Sequence, residues 1–136
     1  MIRNALSVLL GLFVGSALNM AIVLLMMVIW PLPEGVDMSN PEQMAVHVAT
    51  MPVIAWLMAM VAHLTQAFGG GWVAARVGGS HPMMLALIVG GLSMIGGILN
   101  GISLNMPMWM WIELPLYWVV AAIAGRLEQT RRVQAG

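Results

Sequence analysis

Cysteine is absent from this chain, and so is lysine. Without cysteine there is no disulfide, no thiolate nucleophile, no thiolate metal site and no lipoprotein attachment. Charge of either sign is scarce: five arginines and five acids make up 7% of the residues and cancel to a formal net charge of zero. That balance excludes a basic surface for nucleic acid. With 61% hydrophobic residues over 136 positions it also excludes an ordinary water-soluble globule and points to one integral membrane domain. A glycine-rich phosphate loop, an HExxH zinc helix, a nucleophile elbow and a CxxCH haem site are all missing, so no motif names a reaction. No catalytic residue, cofactor or metal is expected from the sequence, and an enzyme is the least supported class.

What the chain does contain is four apolar runs long enough to cross a bilayer, about 20 residues being sufficient. They read as an all-α, four-helix transmembrane bundle with spans near 5–30, 52–76, 83–104 and 107–125. The amino terminus has the basic start of a signal peptide, but its apolar run continues too far for a cleaved segment and is expected to stay as the first span. Segment 31–51 reads as a loop that ends in a helix start, with Asn40 as N-cap, Pro41 in the first turn and Gln43 completing a capping-box-like pair. Pro52 predicts a break between a short helix at 41–50 and the second span. The polar tail 126–136 is expected to fray. Alternating ten-residue segments, the mark of a β-barrel, are not present.

Orientation follows from the arginines. Arg3, Arg76, Arg126, Arg131 and Arg132 all fall at the ends that a four-span arrangement places on one side, while Glu34, Asp37 and Glu42 lie on the other. The positive-inside rule then predicts both termini in the cytoplasm and the acidic loop outside. Trp30, Trp109 and Trp111 at the outer boundary and Trp72 at the inner one fit an aromatic belt.

Small residues fall in stripes. Ser7, Gly11, Gly15 and Asn19 recur every four positions in the first span, and Ala86, Gly90, Ser93, Gly97 and Gly101 share about 80° of arc in the third at 100° per residue. Gly70 lies on the His63 face of the second, with Trp56, Ala59, Gln66, Ala67 and Ala74. Such stripes suit close helix contact. Their number predicts self-association or a larger membrane complex, beyond the lipid bilayer itself.

The second span carries the only mid-span histidine, and an ionisable group at membrane depth is a functional-site hypothesis by default. With a rise of about 1.5 Å per residue, His63 lies about 16 Å below Pro52, Asn19 about 16 Å from Trp30 and Tyr117 about 15 Å from Pro107. Glu113 and Asn100 form a shallower tier, and Glu113 is an i, i+4 neighbour of Tyr117. His63, Gln66, Asn19, Asn100, Glu113 and Tyr117 therefore predict one polar seam that opens outward. The plain alternative is interhelical hydrogen-bond glue, worth about 1 kcal/mol or less per bond. Pro115 predicts a kink that frees the carbonyl of Trp111 beside Glu113. No second histidine shares the level of His63, so a bis-histidine haem would need a second copy.

Methionine numbers 15 residues, and Met106, Met108 and Met110 alternate near the outer surface. Thioethers are soft ligands that suit cuprous copper. As adaptable apolar filler they need no metal, and filler is the expectation. His47 and His81 read as boundary residues, and the three loop acids as a solvated loop.

The segments LPEGVDMSNPEQ, AHLTQAFGGGWVAARVGGSHPM and MWIELPLYWVVAAIAGRL resemble those of small four-span bacterial inner-membrane proteins. The resemblance covers most of the chain and implies fold and location, with no activity attached. The first functional reading is a structural or accessory membrane subunit, and the alternative is a binder or transporter of a small solute or proton at the seam around His63 and Glu113.

Overall fold

The computed structural model describes residues 1–135, which are helical throughout apart from their connections. Four long apolar elements can each cross a membrane. These are α1 (Ile2–Ile29), α3 (Val53–Val77), α4 (Pro82–Ser103), and a 3-10 turn (Met108–Ile112) that runs directly into α5 (Glu113–Ala135). The short α2 (Pro41–Ala49) lies between α1 and α3.

Local chemistry sets the boundaries. Asn40 caps α2, its Oδ1 accepting the N–H groups of Glu42 at 3.0 Å and Gln43 at 3.2 Å. Gln43 does not complete the box on Asn40: its Oε1 accepts the N–H of Asp37 at 2.7 Å, and Asn40 donates to the carbonyl of Asp37 instead. The Gln43 side chain therefore closes the loop in front of the helix. Pro52 becomes the N-cap of α3 in extended conformation, so the expected break after α2 is complete. At the next turn the side chain of Asn4 takes over the polar groups, accepting from Gly79 N–H at 2.8 Å and donating to Ser80 Oγ at 3.0 Å.

α3 is the central element and touches α1, α4 and α5, while α4 packs along α5. Helix association in lipid depends on close van der Waals approach, and here the glycines provide it. At the α1–α3 crossing Gly11 and Gly70 lie backbone to backbone, and a Cβ on Gly70 would stand 2.5 Å from the carbonyl oxygen of Gly11. A Cβ on Gly15 would meet the carbonyl oxygen of Gln66 at 2.5 Å, and one on Gly90 the Ala121 methyl at 2.5 Å. Gly97 leaves room for the Tyr117 hydroxyl, and Gly101 for the methyl of Met106. All six packing glycines thus find their neighbours within the chain. These six glycines therefore serve contacts within the chain.

α1 meets α4 only marginally. Val8 and Leu12 pack on Ala74, Leu85 and Val89 near the arginine end. Toward the acidic loop the two helices do not close on each other, and a cavity opens between them.

Two features of the fourth span differ from expectation. Pro115 falls at the third position of α5, where a missing N–H removes no helical bond, and so it starts the α-helix instead of kinking one. The expected frayed tail is helical as far as it is described, Gly136 lying outside the described residues: α5 continues to Ala135. Glu128, with no exposed surface, holds it down. Its carboxylate accepts from Arg131 Nε at 2.8 Å, Arg132 Nε at 3.0 Å and Arg76 Nη1 at 3.4 Å. Arg132 also donates to the carbonyls of Ala75 at 2.6 Å and Gly78 at 2.8 Å, capping the end of α3. The composition of the tail is polar, but its acid finds a partner on another helix.

Candidate functional site

In the half of the bundle nearest the acidic loop lies a cavity of about 600 Å³. Its walls come from α1, α3 and α4. α2 and the α4–α5 connection form its mouth, and Ser16, Gln66, Ser93 and Tyr117 border it deepest in the bundle, with His63 just above Gln66. That volume falls within the range of small-molecule pockets, about 300–1,000 Å³.

His63 is positioned from behind. Its Nδ1 lies 3.2 Å from both Oε1 and Oε2 of Glu113, the geometry of one N–H aimed between two carboxylate oxygens. Glu113 has no exposed surface, whereas 12% of the His63 side chain stays accessible and borders the cavity. Tyr117, 1% exposed, stacks on the imidazole with ring centroids 6.5 Å apart and planes at 24°. The two helical neighbours Glu113 and Tyr117 therefore hold one ring, one by its nitrogen and one by its face. The 3-10 turn rises about 2.0 Å per residue, which carries Glu113 somewhat deeper than an α-helix would, and its side chain reaches His63. The sequence argument assumed α geometry from Pro107 and left it in a shallower tier.

The remaining seam residues fall beside the same space. Asn19 Nδ2 donates to Gln66 Oε1 at 2.6 Å, joining α1 to α3, and both side chains line the cavity together with Asn100. Of the six seam residues, Glu113 alone does not border the cavity; it acts through His63. Three buried polar atoms that face no partner among the described residues also belong to lining residues: Asn19 Oδ1, Ser93 Oγ and His47 Nε2. Ser93, 3% exposed, read in the sequence as one more small residue in the α4 stripe. Its only signal was a hydroxyl among glycines. Buried polar atoms are satisfied in the great majority of cases, so three orphans around one cavity mark a space built for something polar.

The alternating methionines do not act as a set. Met106 is 8% exposed and Met110 fully buried, both lining the cavity, whereas Met108 is 85% exposed on the outside of the 3-10 turn. No group of three or more histidines and acids among the described residues is arranged to hold a metal ion.

Chemically the Glu113–His63 pair is a one-proton device. When the carboxylate accepts from Nδ1–H, Nε2 carries a lone pair and accepts hydrogen bonds from the cavity; with one more proton on the pair, Nε2–H donates. No protein family, curated protein or solved structure matches the chain.

Proposed function

We propose that this multi-pass membrane protein binds a small solute in the cavity between α1, α3 and α4, with His63 as the polar contact and Glu113 as the group that orients it. The observation that carries the reading is the unfinished hydrogen bonding around the cavity: Asn19, Ser93 and His47 each present a buried polar atom without a partner. Glue residues would satisfy one another, as Asn19 Nδ2 and Gln66 Oε1 do. No arginine and no carboxylate lines the cavity, which favours a solute without permanent negative charge.

The arginine asymmetry supports a bundle with both termini cytoplasmic and the cavity opening on the far side, in a bacterial inner membrane as the sequence resemblance implies. A reporter fused after Gly136 should then be active only in the cytoplasm, and one in the Glu34–Asn40 loop only outside. Service as an accessory subunit in an oligomer or a larger complex is the alternative, and the stripes that suggested it are occupied within the chain.

Native mass spectrometry of gently solubilised protein tests the function. A small molecule retained by the wild type and lost from the His63→Gln variant supports binding at the cavity. A protein that carries only lipid, or a co-purifying subunit, speaks for the alternative.

A further inference from the structure

The lining of the cavity has an unusual composition. Eight of the 15 methionines border it, against two leucines, Leu32 and Leu104, and no isoleucine. The lipid-facing surface shows the opposite preference, with Leu6, Leu9, Leu24, Ile95, Leu99 and Ile102 all more than half exposed. Methionine also occurs on the outer surface, as Met84 and Met108 show, but around the cavity it stands where leucine and isoleucine otherwise would, in a chain without a single cysteine.

The concentration is greatest at the mouth. Met44 and His47 lie one turn apart on α2 and both border the cavity, as do Met51 just after that helix and Met106 and Met110 on the α4–α5 connection. His47 Nε2 is buried and meets no partner among the described residues. A buried ring nitrogen left this way is an open position for a ligand. The loop acids Glu34, Asp37 and Glu42 are not part of the lining. The donors that border the cavity there are thus one imidazole and several thioethers, with no carboxylate among them.

We infer that the mouth of the cavity is a binding site for a soft monovalent cation of the Cu(I) class, held by His47 Nε2 and by thioethers from Met44, Met51, Met106 and Met110. Hard cations need carboxylate or carbonyl oxygens and Zn(II) favours thiolate, imidazole and carboxylate, whereas Cu(I) accepts thioether and imidazole at low coordination number. A single positive charge also enters a low-dielectric space with a smaller desolvation penalty than a double one. The site stands apart from the His63 floor and does not depend on a solute binding there.

Ag(I), a redox-inert probe of the same coordination chemistry, allows a direct test. Purified protein in chloride-free detergent buffer is titrated with silver nitrate by calorimetry, in parallel with zinc. One tight Ag(I) per chain is expected, weakened roughly tenfold or more by His47→Leu and by the double change Met44→Leu/Met51→Leu. The methionine variants conserve volume, so their elution and melting should match the wild type. Absence of Ag(I) binding, equal affinity for Zn(II), or binding that survives these variants would overturn the site. Binding lost on His63→Gln but kept in His47→Leu places the ion on the floor and also overturns it. A retained organic molecule at His63 together with no Ag(I) binding would leave the solute reading intact while removing this one.

Discussion

Two glutamates in this molecule have no exposed surface, and they are finished in different ways. Glu128, at the arginine end, receives hydrogen bonds from three guanidinium groups, two of them on its own helix and one on α3. Glu113, in the other half, faces a single imidazole whose far nitrogen looks into a cavity. A carboxylate matched by several permanent cations is locked in charge and place. One matched by a single histidine shares its proton with a ring whose second nitrogen is free to exchange hydrogen bonds with the cavity. The contrast extends to the packing around them. At the arginine end α1, α3 and α4 close on alanines and glycines, while at the other end they separate around methionines and unpaired polar atoms.

If the arginine end is scaffold, the largest effect belongs to Gly11→Leu. Its side chain would collide with the backbone of Gly70 on α3, which cannot move aside, so folded protein should be lost from size-exclusion profiles. Gly96→Leu is the matching change at the open end. A Cβ there meets nothing within 4 Å and the residue borders the cavity, so the variant should melt like the wild type yet retain less solute in native mass spectra. Equal damage from both would erase the distinction between a closed and an open half.

Next in size is Glu128→Ala, which leaves three arginines without their shared acceptor. Arg76 and Arg131 keep 46% of their side-chain surface accessible. The loss should therefore stay near 2 kcal/mol, below that of a fully buried broken pair, and appear in unfolding by denaturing detergent together with fast amide exchange beyond Arg126. Glu113→Gln should cost less than about 1 kcal/mol, because an amide can still meet the imidazole. It removes the carboxylate from the one-proton pair, however, and pH-dependent solute binding should disappear with it. A Glu113→Gln variant that binds and titrates as before would reduce the pair to glue.

The smallest effect is expected at the loop in front of α2. Hydrogen bonds from Ser39 Oγ and the Ser39 N–H hold the Asp37 carboxyl below its ordinary value of 3.8. A depressed folded value means that the loop is fully stabilised above the unfolded value and loses that contribution as pH falls through the folded one. Acid titration followed by carboxyl NMR should show Asp37 protonating below its usual range, with Ser39 amide exchange rising in step; Asp37→Asn should abolish the pH response.

How much of this was legible beforehand can be judged from particular residues. The Asn40 cap, the break at Pro52 and the burial of Gly11, Gly15, Gly90, Gly97 and Gly101 follow from local rules of donors, ring closure and helical spacing. His63 and Glu113 were expected in one polar seam but at different depths, and their direct contact follows a 3-10 turn that no periodicity announces. Glu128 was missed because its partners Arg76 and Arg132 matter only after α3 and α5 lie side by side. Ser93 and His47 were missed because a residue is unsatisfied only relative to neighbours that the chain order does not name.

By itself the sequence pointed to the solvent: four apolar runs with the charged residues largely at their ends fit a bilayer, where every backbone group must be paired within its own helix. Tertiary structure alone decided which polar atoms found partners and which did not. Helix pairing depends on where glycines let two backbones touch, and the space left where they do not touch has no signature in one dimension.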